Sequence, residues 1–196
     1  MPKIVDHDDQ RTKFAAAAIR LIARDGLEGM TMRAVSAEAG LSYGSLFHYF
    51  DSKDDLLMQA VRHLITEQTR RVNEYSSRYR GLKALQHLLF DDALVSDDDR
   101  DDAVVWLAFL YKAVLQQRFA DMHSELIDGW LHRIRQLLDD AQKAGEIKAD
   151  LNTNFEASAI WAYSVGIGQQ GLLHPELFPP KTQKKLIKSY LDKLRP

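Results

Sequence analysis

Apolar residues recur every three to four positions along nearly the whole chain, the spacing of amphipathic helices, and strand-like alternation is scarce. Phe14, Ala17, Ala18, Leu21 and Ile22 form one face of a first helix, which Gly26 closes after Arg24-Asp25. Thr31 is placed to cap a second helix, Met32 to Ala39, that stops at Gly40. Ser42 is placed to cap a third, Tyr43 to Phe50. Ser52 then opens a long segment in which Leu57, Val61, Leu64, Ile65, Val72 and Tyr75 keep helical spacing, uninterrupted by Gly or Pro before Gly81. Asp54 and Asp55 in its first turn favour the helix dipole. A helix from Lys53 to about Tyr79 would span roughly 40 Å, enough to join two bodies.

Leu82, Leu85, Leu88 and Leu89 mark a fifth helix, followed by an acidic loop over 96–102. The apolar run Ala103 to Tyr111 suits a buried strand or a buried helix; its acidic start and its continuation to about Arg118 favour the helix. Leu126, Ile127, Trp130, Leu131, Ile134, Leu137, Leu138 and Ala141 make the cleanest amphipathic stripe, ended by Gly145. Phe155, Ala159, Ala162 and Gly166 carry an eighth helix to about Gln170. After Pro175, Pro179 and Pro180 comes a last one with Leu186, Ile187, Tyr190, Leu191 and Leu194. The expectation is an all-α chain of about nine helices: an N-terminal three-helix unit, then a larger helical body.

Residues 31–53 carry the chemistry. Val35, Ala39, Leu41, Leu46 and Phe50 are placed to pack two short helices on the first, with small Ser36 permitting close approach. Gly40 supplies a positive φ at the turn between them. Tyr43, Gly44, Ser45, His48 and Tyr49 are left on the outer face of the second short helix. They are small or hydrogen-bonding residues with little reason to be buried. Gly44 early in a helix costs about 1 kcal/mol relative to Ala, which makes sense if another surface must come close. Such a face suits a helix entering a DNA major groove; the plainer alternative is an αα-hairpin whose polar side meets water.

Composition narrows the field. The 196 residues include no cysteine, so disulfides, thiolate metal sites and thiol chemistry are excluded. The net charge of −2 looks unfavourable for nucleic acid. It is unevenly spread, however: residues 11–53 hold six Lys/Arg against four Asp/Glu, whereas residues 81–128 hold four against ten. Neither a signal-peptide core nor an apolar run of membrane-spanning length is present, which leads us to expect a cytoplasmic protein without membrane contact. No Gly-rich phosphate loop, nucleophile elbow or paired acid and base stands out, so neither an enzyme nor a cofactor is expected. The acidic stretch from Asp91 lacks the glycine and closing glutamate of a calcium loop. His123 with Glu125 makes a poor metal site, and no metal is expected.

The segment from about Arg11 to about Leu57 resembles the DNA-binding domain of the TetR family of one-component bacterial repressors. The likeness rests on Gly26-x-x-Gly29-x-Thr31, Ala39-Gly40-Leu41-Ser42 and Leu46-Phe47-x-Tyr49-Phe50-x-x-Lys53. It implies a DNA-binding domain over 1–52 and a ligand-binding and dimerisation domain over 53–196. It also implies that Thr31, Arg33, Tyr49 and Lys53 meet phosphates. Ser42, Tyr43, Gly44 and Ser45 would then enter the groove, with Tyr43 and His48 reaching base edges or nearby backbone. Phe47 departs from the family, where tyrosine is common, and so offers no hydroxyl; Ser36 departs where alanine is usual. The stretch from Trp130 to Leu138, Ala144-Gly145-Glu146-Ile147 and the Gly-rich eighth helix are similar to the BetI-like branch, whose namesakes answer to choline.

For the C-terminal body, the small residues Ala159, Ala162 and Gly166 beside Phe155 and Tyr163 point to a dimer interface completed by Ile187 and Tyr190. Tight packing within one chain is the alternative. Trp106, Phe109, Tyr111 and Trp130 are the aromatic candidates for a ligand site, with plain core burial as the alternative. The whole predicts a homodimeric repressor that binds an inverted-repeat operator in double-stranded DNA and is released by an unidentified small-molecule effector. The rivals are an activator or ligand-independent regulator of the same fold, and a helical protein-interaction module without DNA binding.

Overall fold

The computed structural model describes residues 7–76, 78–93, 96 and 99–196. Among them are nine helices and no strand: α1 (His7–Gly29), α2 (Met32–Ala39), α3 (Tyr43–Leu46), α4 (Lys53–Ser76), α5 (Gly81–Ala93), α6 (Arg100–Leu115), α7 (Gln117–Lys143), α8 (Thr153–Leu173) and α9 (Pro180–Lys193). The all-α expectation holds. Two compact units result, one of residues up to Glu67 with Arg100–Ala120, the other of Gln68–Asp99 with Asp121–Pro196. The chain passes between them inside α4, again just before α6 at Asp99–Arg100, and inside α7. No described helix is long and apolar enough to cross a membrane.

Local chemistry sets the boundaries of the first unit. α1 is interrupted at Gly26, whose φ of 71° places it in the left-handed region where only glycine sits without strain. Thr31 caps α2 by accepting the Ala34 N–H at 3.1 Å. Gly40, at φ 65°, ends it in a Schellman motif, with the Leu41 N–H on the Ser36 carbonyl at 3.0 Å and the Gly40 N–H on that of Ala37 at 3.1 Å. Ser42 caps α3 by accepting the Ser45 N–H at 3.0 Å.

The structure corrects four boundaries. α3 is α-helical only over Tyr43–Leu46; beyond it the chain turns more tightly, with the His48 N–H on the Ser45 carbonyl and the Tyr49 N–H on that of Leu46. α4 ends at Ser76 rather than Tyr79. The sixth helix stops at Leu115, and Gln116 separates it from a seventh that starts nine residues before the expected stripe. Part of the acidic loop, Asp97 and Asp98, lies outside the described residues.

In the first unit α1 lies against both α2 and α6. Its buried Phe14, Leu21 and Ile22 share a core with Val35, Leu46, Phe50, Leu57, Val105, Phe109 and Phe119. Ala39 and Leu41, expected in this core, are only partly buried. Phe14 meets the edge of Phe50 at 6.0 Å between ring centres. Outside this core, Arg20 donates to Glu38 at 2.7 Å, pinning α2 to α1. That bond holds the Glu38 carboxyl below its ordinary range.

The second unit buries Val72, Leu85, Leu89, Ile134, Leu138, Ile160, Ile167, Ile187 and Leu191 in one cluster. Glu146 accepts the Leu82 N–H at 2.7 Å and so caps α5 from a distant part of the chain. α8 and α9 pack closely: Gly171 faces the fully buried Gln183, which donates to the Phe178 carbonyl at 2.7 Å.

Gly40→Ala tests the turn. No atom lies within 4 Å of where the new Cβ would stand. The cost is then the left-handed backbone alone, about 1–2 kcal/mol, read as a lower midpoint in denaturant unfolding.

Candidate nucleic-acid interface

Three elements bring the expected contact residues to the surface. Tyr43, Gly44 and His48 are exposed and Ser45 is half-buried. The Ser45 hydroxyl donates to the Ser42 carbonyl at 2.7 Å, so its proton is committed to the turn. Arg33, exposed on α2, holds its guanidinium 5.8 Å from the Tyr43 ring centre and thereby links the first turns of α2 and α3. Tyr49 is half-buried, its ring 5.9 Å from that of Phe14. This contact orients the side chain, so its packing and its hydroxyl are separate contributions.

Lys53 is the first residue of α4. Ser52 caps the helix by accepting the Asp55 N–H at 3.2 Å, and its hydroxyl donates to the Asp55 carboxylate at 2.9 Å. Two bare carboxylates beside Lys53 would offset its positive charge. Asp54 is paired with Lys112 at 2.9 Å, and Asp55 with Arg118. The Arg118 hydrogen bond is the main cause that holds the Asp55 carboxyl below the usual carboxylate range, against burial. A lowered value makes this pairing fully present above the ordinary carboxylate pKa and lost only as pH falls through the depressed one. None of these four residues beyond Lys53 was singled out as functional from sequence, because a helix-dipole role accounts for Asp54 and Asp55 locally. Their partners lie about sixty positions away.

Phe47 is the contact-face residue that the pattern did not assign to that face. It is 47% exposed, next to Tyr43 at 46%, and the two rings meet edge to face at 5.0 Å. The signal was its position, one residue after the inward Leu46 and four after Tyr43.

The aromatic ligand candidates fall in both units. Trp106, Phe109 and Tyr111 lie on α6 in the first unit, Trp130 on α7 in the second. Phe109 is fully buried between Trp106, at 5.3 Å, and Phe119, at 5.9 Å, and serves the core; Tyr111 is 62% exposed. Trp130 stacks on Trp161 at 6.2 Å, a partner that helical spacing alone did not reveal. A second aromatic cluster stands Tyr75 and Tyr79 against His87, at 5.5 and 4.3 Å, with the Lys83 ammonium 4.5 Å from the Tyr79 ring. Among the described residues no group of three His, Cys, Asp or Glu could hold a metal ion.

The expected dimer residues divide into two sets. Phe155 and Ala162 are exposed on α8, with Ala159 and Gly166 partly so. Ile187 is buried in its own unit, and Tyr163 and Tyr190 pack on each other at 5.0 Å. The Tyr190 hydroxyl donates to Glu156 at 3.0 Å, and burial together with that bond pushes its pKa up to about 12. Ile187 is thus a core residue because the apolar face of α9 turns inward onto α5 and α8.

This geometry agrees with comparisons to known proteins. The family described as "Bacterial regulatory proteins, tetR family" matches residues 15–60, and "BetI-type transcriptional repressor, C-terminal" matches residues 83–196. The chain is 28% identical over 196 residues to the HTH-type transcriptional regulator PksA of Bacillus subtilis, covering 99% of this chain and 94% of that protein. It is 27% identical over 203 residues to the HTH-type transcriptional regulator BetI of Vibrio campbellii, covering 98% and 96%. A transcriptional regulator from Saccharomonospora viridis, solved in complex with choline, shares the fold with a TM-score of 0.85 at 23% identity, covering 94% of this chain and 96% of that one. The chain therefore belongs to the TetR family of bacterial transcriptional regulators, with a BetI-type C-terminal part, and is a helix-turn-helix regulator rather than an enzyme.

Proposed function

We propose that this protein is a cytoplasmic repressor that binds an inverted-repeat operator as a homodimer and leaves it when a small molecule binds. Residues 1–52 are the DNA-binding part, and residues 53–196 carry dimerisation and effector binding. The observation that carries the reading is the outward face of α3. That helix, capped and buried from behind, and the tight turn that follows it present Tyr43, Gly44 and His48 to solvent. Thr31, Arg33, Ser42, Ser45, Tyr49 and Lys53 surround that face as phosphate and groove-entry contacts. Residues 11–53 are only mildly basic, so one copy holds DNA weakly and two must act together.

The second copy is expected on α8. Phe155, Ala159, Ala162, Gly166 and Leu173 follow a three-four spacing, and Phe155 and Leu173 are 68% and 61% exposed. Small side chains between two large apolar ones let two such helices approach closely. The effector is a cationic small molecule. Support comes from the BetI-type match over 83–196, the choline complex of the Saccharomonospora viridis relative, and the stacked Trp130–Trp161 and Tyr75–Tyr79–His87 groups.

Three experiments test the proposal. In selection from random DNA followed by titration on the selected site, Lys53→Ala and Tyr49→Phe should weaken binding to all sequences alike. Tyr43→Ala and His48→Ala should also change the preferred sequence. Gly44→Ala, whose new methyl meets nothing within 4 Å in the free protein, should be up to about 1 kcal/mol more stable yet bind less tightly. Unchanged binding in all five variants would refute the interface.

Sedimentation should show wild type as a dimer and Phe155→Asp with Ala162→Arg as a monomer of much lower operator affinity. A double variant that remains dimeric would remove α8 from the interface. Choline should raise the melting temperature and release DNA, whereas an uncharged isostere should do neither; a reporter fused to the selected site distinguishes repression from activation.

A further inference from the structure

α3 and the residue that ends it carry two aromatic rings on their outward side. Tyr43 and Phe47 stand four residues apart, so both rings project from the same side of the turn, and nearly half of each remains exposed. Their edge-to-face contact at 5.0 Å fixes the Phe47 ring in place. The inward residues of the same stretch, Leu46 and Phe50, are buried, so the core has no call on Phe47. Around the pair the surface is hydrogen-bonding: Ser42, Gly44 and His48 are exposed, and the Arg33 guanidinium lies 5.8 Å from the Tyr43 ring. The result is an apolar spot about two rings wide inside a polar, mildly basic face.

A spot of that size is far below the roughly 800 Å² per partner of a stable protein interface. It matches a single small apolar group presented among hydrogen-bonding ones. The major groove offers one such group, the C5-methyl of thymine, beside the O4 acceptor and the adenine N7 and N6 positions. Phe47 has no hydroxyl to give a phosphate, so its contribution to a DNA complex is contact alone. We infer that the Phe47 ring, braced by Tyr43, reads the methyl group of one thymine in each operator half-site and is a specificity-determining residue of this regulator.

The inference rests on the DNA-binding reading above, and its test separates the two. Each thymine of the selected operator is replaced by deoxyuridine, which removes the methyl and leaves base pairing intact. Wild-type affinity is then measured by fluorescence anisotropy, alongside Phe47→Ala and Phe47→Leu. With that thymine replaced in one half-site, wild type should lose about three- to fivefold, the worth of one buried methyl, and about ten- to twentyfold when both half-sites are changed. Phe47→Ala should bind the thymine operator more weakly and be indifferent to deoxyuridine, while Phe47→Leu should keep most of the discrimination. Circular dichroism melting of both variants should match wild type, because the ring is not part of the core.

Wild type that ignores deoxyuridine at every position overturns the inference, as does a Phe47→Ala variant that discriminates as wild type does. In both cases the DNA-binding reading stands. Failure of wild type to select any DNA overturns both.

Discussion

A helix of four residues has no stability of its own, since its few internal hydrogen bonds do not repay the cost of nucleation. α3 therefore exists because Leu46 and Phe50 are buried behind it and Phe14 of α1 meets the edge of Phe50. The rest of the interface depends on that burial. It decides which residues of α3 face outward, and through the Ser42 cap and the Schellman turn at Gly40 it fixes the angle between α2 and α3. α1 is the common support, packed against α2, its neighbour in sequence, and against α6, which is about seventy residues further along the chain.

Electrostatics follows the same division of labour. The net charge of −2 is a poor guide, because what DNA meets is the charge of one face. Lys53 stands beside two carboxylates that would cancel it. Lys112 and Arg118, brought from the end of α6 and the start of α7, pair with Asp54 and Asp55. The carboxylates keep their benefit to the α4 dipole and to the Ser52 cap while their charge is met by Lys112 and Arg118 rather than by Lys53. The two ion pairs also join α4 to α6 and α7 within the first unit, at the point where α4 begins its course into the second.

Much of this was legible in order of residues. The caps at Thr31, Ser42 and Ser52, the positive φ at Gly40, and the outward face of Tyr43, Gly44 and His48 all follow from local chemistry and helical period. The misses have a common cause. The amphipathic pattern of α9 shows that Ile187 lies on an apolar face but not that its own unit covers it. Phe109 and Trp130 shared an aromatic composition, yet one is sealed in the first unit and the other stacks on Trp161 in the second. Phe47 was judged by the hydroxyl it lacks rather than by the ring it exposes.

By itself, then, the sequence determined the all-α fold, the family, the caps that start α2, α3 and α4, and the outward side chains of the short capped pair. These are consequences of interactions within a few residues, or of a periodicity that any helix must obey. Only the tertiary structure decided that Arg118 and Lys112 serve Asp55 and Asp54, that Glu146 caps α5, that α9 turns Ile187 inward, and that Phe47 stands beside Tyr43 on an otherwise polar surface. Partnerships across tens of residues depend on which faces are buried together, and burial is a property of the assembled core rather than of any one segment.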